Sequence, residues 1–195
     1  MPYRREVFVE QMPLVDRFTK HLVYYRAIRS NLDRYNQASS FWGDTCTAHL
    51  LQASTYWCMV FGSQGCNATH WKNLGGDEEQ LLKSFREGLY STLDISESRW
   101  KAYWEEMVDF RNCYVAHREL RFDRPVPVFD LALKAAFYYD SWIRKVIHPD
   151  VLDELPLKQL VDAFQAKVTT EIVTALEATA AEPSHAADAP QAARH

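Results

Sequence analysis

Two side chains within one stretch have the types that acid–base and phosphate chemistry require. They are Arg111 and His117, in Trp100-Lys101-Ala102-Tyr103-Trp104-Glu105-Glu106-Met107-Val108-Asp109-Phe110-Arg111-Asn112-Cys113-Tyr114-Val115-Ala116-His117. An imidazole titrates near neutrality and can act as general base or general acid. A planar guanidinium holds a phosphate and stabilises its developing charge. The stretch reads as a helix, because Trp100, Tyr103, Trp104, Met107, Phe110 and Tyr114 recur at helical spacing, with Lys101, Glu105 and Asp109 opposite. At roughly 100° per residue, Arg111 lands near the middle of the apolar stripe, between Trp104 and Met107. An arginine there must be paired or must await an anion, because leaving it unpaired costs several kcal/mol. His117 sits about 9 Å further along the axis and points roughly 120° away. One helix does not bring the two together. A second copy across a two-fold axis could, which suggests an obligate-dimer site.

The elements that must carry this helix follow from length and pattern. The chain has 195 residues, enough to bury one core, and 47% hydrophobic with 25% charged residues is the balance of a soluble globular protein. Long helical periodicities with only six Gly and eight Pro predict an all-α bundle of about five or six helices over residues 1–178. Residues 179–195 are low-complexity and too polar to pack, and read as a disordered tail.

In chain order, Val15, Phe18, Leu22, Tyr25 and Ile28 stripe a first helix, with Pro13 as its start or a kink. Its basic surplus reads most simply as a solvated face. Ser39-Ser40 breaks before an apolar, central helix that Gly62 stops. The loop Cys66–Gly76 holds His70 and Trp71, which either line a site or serve as cap and anchor. Asp77 or a neighbour caps a short helix with Leu81, Leu82, Phe85 and Leu89, and Asp94-Ile95-Ser96-Glu97 has the spacing of a capping box for the organising helix. An extended connector with Pro125 and Pro127 follows, then a helix capped by Asp130 and broken at His148-Pro149. A last helix over roughly 157–178 carries Leu160, Phe164, Val168, Ile172 and Leu176.

Several function classes drop out. A net charge of −4 gives no global basic footprint for nucleic acid, so any RNA contact must be local; Arg118, Arg121 and Arg124 gather at the exit of the organising helix, diluted by Glu119 and Asp123. No run reaches the roughly 18 apolar residues of a membrane span, and the N-terminus lacks the apolar core of a signal peptide, so a cytoplasmic protein is expected. Cys46, Cys58, Cys66 and Cys113 form no CxxC and read as free thiols in a reducing compartment. Cys46-x2-His49 and Cys66-x3-His70 have metal-ligand types, but Cys46 and His49 open an apolar helix and no closed pair supports them. No metal or cofactor is expected. Gly-x-Ser-x-Gly and the Gly-Lys-Ser/Thr end of a phosphate loop are absent.

Arg111-Asn112-Cys113-Tyr114-Val115-Ala116-His117 resembles the signature of the HEPN superfamily, in which an Arg, often followed by a polar residue, precedes a His by four to six residues; here five intervene. Phe61-Gly62-Ser63 and Thr69-His70-Trp71-Lys72 further resemble its abortive-infection branch, and the resemblance covers about residues 10–147. It implies a homodimer whose paired helices form a composite, metal-independent endoribonuclease cleft. There Arg111 and His117 would be catalytic, while Asn112, Arg118 and His70 would bind or orient substrate. It also implies an RNA substrate such as tRNA or another structured RNA, a toxin or antiviral role, and an antitoxin or other neutralising protein. A catalytically silent HEPN dimer acting as a binding or regulatory module is the alternative. Some HEPN toxins are modified on a tyrosine two residues past the His; Glu119 occupies that position here.

Overall fold

A computed structural model describes residues 3–33, 40–75, 78–117, 119–120, 123–147 and 154–181. Among the described residues there are six α-helices and no strand: α1 (Arg5–Leu32), α2 (Ser40–Phe61), α3 (Glu79–Leu93), α4 (Glu97–Phe110), α5 (Asp130–Ile147) and α6 (Leu157–Ala181). A 3-10 turn (Trp71–Leu74) precedes α3, and a π-helical segment (Arg111–Ala116) continues α4. The expected helical bundle is therefore what forms. The His148-Pro149 breaker, Asp77, Arg118, Arg121 and the expected tail beyond Ala181 lie outside the described residues, while 179–181, read as the start of that tail, are the end of α6.

Helix α1 packs along both α2 and α6, α3 along α5, and the π segment against α2. The core runs from Phe18 and Leu22 through Trp57 and Phe61 to Phe85, Tyr139 and Ile143, all nearly or fully buried. Its aromatic rings meet edge-on, as in Phe61–Tyr139 (5.3 Å, 86°) and Phe85–Trp142 (5.1 Å, 72°), the arrangement that ring quadrupoles favour. Buried Gln11 ties three elements together. It donates to the Thr69 and His70 carbonyls (3.1 and 2.9 Å) and accepts from the Tyr139 hydroxyl.

Four expectations are corrected. Pro13 does not start α1, which runs through it, leaving the kink as the alternative that its place inside the helix allows. The carbonyl that a residue at this position would bond is that of Val9, on the exposed side of the helix, where water can serve it. Asp94 does not open α4; it closes α3 in the left-handed region (φ 52°), and Ser96 is the cap, its Oγ accepting the Arg99 N–H at 3.2 Å. Asp130 stands in the first turn of α5 and pairs with Arg26 across to α1, so part of the basic face of α1 is engaged. In α6 the first turns bury Leu157 and Val161 while Leu160 is exposed.

Candidate functional site

The organising helix does not stay in α register. Ser96 starts it, and Trp104 anchors its middle by donating Nε1–H to the Phe61 carbonyl at 2.8 Å. Tyr103 fixes the other side, its hydroxyl donating to the Val128 carbonyl (3.0 Å) and accepting the Ala132 N–H (3.1 Å). From Arg111 the turns widen: the His117 N–H reaches back five residues to the Asn112 carbonyl at 2.8 Å, and the Glu119 N–H bonds the Cys113 carbonyl at 2.8 Å. Such widened turns are rare inside helices and gather at functional sites. The segment spans Arg111 through Ala116, the residues between and including the first half of the motif.

Arg111 is half-buried, as the stripe predicts, and its guanidinium lies beside the Cys58 thiol of α2. Burial pushes that thiol up to about 12, against the pull of the guanidinium, so Cys58 stays a neutral thiol at neutral pH. Among the described residues no carboxylate lies within ion-pairing distance of Arg111. His117 is exposed, its backbone extended (φ −127°, ψ 94°), and no hydrogen bond to its ring is found among the described residues. Asn112 is half-buried and contributes its carbonyl to the widened turn.

Electrostatics at the exit is settled by Arg124. It reaches back from the connector to Asp109 and to Glu119 (2.8 Å), and Cys113 Sγ lies 3.4 Å from the Asp109 carboxylate. Those two carboxylates are therefore held by the connector and not by Arg111.

His70 sits apart from this pair and is 3% exposed. Its Nδ1 accepts the Lys72 N–H (3.3 Å) at the start of the 3-10 turn, so its Nε2–H donates to the Gly62 carbonyl at 3.0 Å. Both ring nitrogens are thus used on backbone, and burial, then the charge of Lys72, lowers the imidazole to about 4. This is the cap role that the loop's residue types allowed. The Gly62 carbonyl also accepts a second N–H, from Trp104 at 3.3 Å. A side chain at Gly62 would strike the Cys58 carbonyl, its Cβ falling 2.5 Å away, so only glycine closes α2 here.

Compared with protein-family models, with curated proteins and with solved structures, the chain finds no match in any of the three. Among the described residues no group of three or more His, Cys, Asp and Glu is placed to hold a metal ion, and no helix is long and apolar enough to cross a membrane. Of the residues singled out from sequence, Arg111 and Asn112 open the π segment and His117 follows its end, His70 stands elsewhere, and Arg118 is outside the described residues. His70 and Trp71, which the sequence allowed to line a site, both border a hollow; sequence reasoning missed that Lys72, Arg86, Trp100 and Trp104 join them there, because three separate elements supply these residues.

Proposed function

We propose that this chain is a metal-independent endoribonuclease of the HEPN type, working as a homodimer in a toxin or antiviral-defence role in the cytoplasm. What supports the reading is one observation: the Arg-x5-His stretch leaves α register, with a half-buried guanidinium that no described carboxylate neutralises and an exposed imidazole at its end. In the reaction, an RNA 2′-OH attacks the adjacent phosphorus as its 5′-oxygen leaves, giving a 2′,3′-cyclic phosphate and a 5′-OH end. His117 of one copy takes the 2′-OH proton, and His117 of the other gives a proton to the leaving oxygen. Arg111 binds the scissile phosphate and stabilises the charge gathering on it. Asn112 orients the strand or the turn that carries the pair, and Arg118 adds a cation for a neighbouring phosphate.

The test compares wild type with His117→Ala on a mixed RNA pool containing tRNA, in EDTA, with product ends mapped. Cleavage by wild type alone, leaving 2′,3′-cyclic phosphates, supports the proposal. Equal cleavage by both places the activity elsewhere. No cleavage by either, from folded dimer, favours the silent dimeric module, a reading to which the lack of a described hydrogen-bond partner orienting the His117 ring gives some weight.

A further inference from the structure

The hollow that His70 and Trp71 border is built from three parts of the chain. The Gly62–Lys72 loop, α3 and the first half of α4 enclose about 360 Å³, within the range of small-ligand pockets. Its walls are aromatic: buried Trp71 and Phe85, their rings tilted at 33° with centroids 4.1 Å apart, and half-buried Trp100 and Trp104 from α4. A second hollow of about 440 Å³ adjoins it, shares Gln64, Lys72 and Arg86 as lining, and adds Arg4. One chamber is thus apolar and ring-lined, the other cationic, and Lys72 and Arg86 stand where they join.

Those two cations are held close without an acid between them. Lys72 Nζ and Arg86 Cζ lie 6.0 and 5.9 Å from the Trp71 ring centroid, and neither has a carboxylate within ion-pairing distance among the described residues. Burial, then the neighbouring Arg86 charge, makes the Lys72 ammonium easier to deprotonate. The other charged groups facing the chambers are Lys101 and Glu97 at the ring-lined end, and Arg4 and Glu79 at the cationic end. Lys101 is 3.9 Å from Glu105, and Arg4 is paired with Glu6. Two like charges so placed repel each other until an anion lies between them. Flat indole faces beside them provide stacking surface that any nucleobase can use.

We infer that the joined chambers are a binding site for a nucleotide, with the base against Trp100 and Trp104 and the phosphate between Lys72 and Arg86. Gln64 and Glu97 also line the ring-lined hollow and are polar groups available to the edge of a base. Trp104 precedes Arg111 by about two turns, roughly 10 Å along the axis, so this site is separate from the Arg–His turn. The inference draws nothing from the ribonuclease reading, and its test measures binding, not cleavage.

Titration calorimetry on the full chain would use AMP, GMP, CMP and UMP in turn, with adenosine, guanosine and inorganic phosphate as part-ligands. A 5′-phosphorylated, 2′-O-methylated tetranucleotide separates a free nucleotide from a nucleotide within a strand. The expected result is one site per chain for at least one nucleotide, with its nucleoside and inorganic phosphate each binding at least tenfold more weakly. Arg86 is exposed and Lys72 half-buried, so Arg86→Gln and Lys72→Met can be made with the fold kept, as circular dichroism will check. Each variant should weaken the nucleotide about tenfold and leave the nucleoside unchanged, whereas Trp100→Leu should weaken both. Tighter binding of the tetranucleotide would identify a strand as the source, and weaker binding a free nucleotide. No nucleotide binding up to millimolar concentration, phosphate binding as tightly as nucleotide, or indifference to Arg86→Gln and Lys72→Met would overturn the inference.

Discussion

His70 makes the fold sensitive to acid, and the size of the effect can be worked out. Its imidazole is neutral in the folded chain, accepting at Nδ1 and donating at Nε2, and protonates only near pH 4, against about 6.5 for an unperturbed histidine. Between those values the unfolded chain binds a proton that the folded chain refuses. Stability from His70 is therefore complete above pH 6.5 and is lost as pH falls towards 4. At about 1.4 kcal/mol per pH unit, the loss across that window comes to about 3 kcal/mol. His70→Asn keeps an acceptor for the Lys72 N–H but cannot reach the Gly62 carbonyl, which should cost about 2 kcal/mol at pH 7. Because the variant does not titrate there, its deficit should shrink below pH 6.5 and vanish at about pH 5, since about 2 kcal/mol divided by the slope above is about 1.4 pH units, counted down from 6.5. Burial also lowers His21 and His49, which share a 2.8 Å Nδ1···Nδ1 contact, but both are present in either protein and cancel in the difference. Urea unfolding of the two proteins at pH 7, 6, 5 and 4.5 gives the comparison. A deficit that stays constant from pH 7 to 4.5 would refute the reasoning.

Three further outcomes are expected. Gly88→Ala should destabilise by about 1–3 kcal/mol although alanine is the better helix former, because its Cβ would fall 2.2 Å from the Tyr138 hydroxyl oxygen; a raised Tm would refute the close approach. Asp140→Asn should cost about 2–4 kcal/mol in denaturant unfolding, since the buried carboxylate accepts from Arg144 Nε (3.1 Å) and from the Leu157 N–H (3.0 Å) at the start of α6; a loss below about 1 kcal/mol would show the pair to be idle. Arg111→Ala should abolish RNA cleavage, by more than about a thousandfold, yet change unfolding free energy by only about 1 kcal/mol. A loss of a few kcal/mol would instead mean that a buried carboxylate had lost its partner.

The helices were legible because burial follows periodicity. Val15, Phe18, Leu22 and Ile28 line one face of α1 at near-zero exposure, as their spacing predicts, and Tyr103, Met107 and Phe110 do the same for α4. Position on the helix also read correctly for Arg111, which is half-buried. The widened turn was not legible, because a count of 100° per residue assumes the hydrogen-bond register that fails there. The Arg124 contacts to Asp109 and Glu119 that bracket that turn arise only once the connector has folded back. Pro13 misled for a similar reason, since a proline's effect on a helix depends on whether water reaches the carbonyl it leaves unpaired. The two-chamber hollow showed locally only in His70 and Trp71, which the loop's residue types allowed to line a site and which do line it. Lys72, Arg86 and Trp100 are far apart in sequence, and only the packing of the 3-10 turn on α3 and α4 unites them.

The π turn has a consequence for how this protein can change over generations. It seats one more residue per turn than the helix leading into it. Register and chain length between Arg111 and His117 therefore compensate each other. Removing a single residue, Ala116 for instance, would let the segment close to α register and leave His117 facing nearly the same way, drawn back along the axis. Helix α4 upstream, with Ser96 holding its start and Trp104 its middle, would keep its place. Small insertions and deletions, which ruin most helices, are at this point absorbed by a change of register, so a lineage could gain or lose a residue here while the scaffold stays intact.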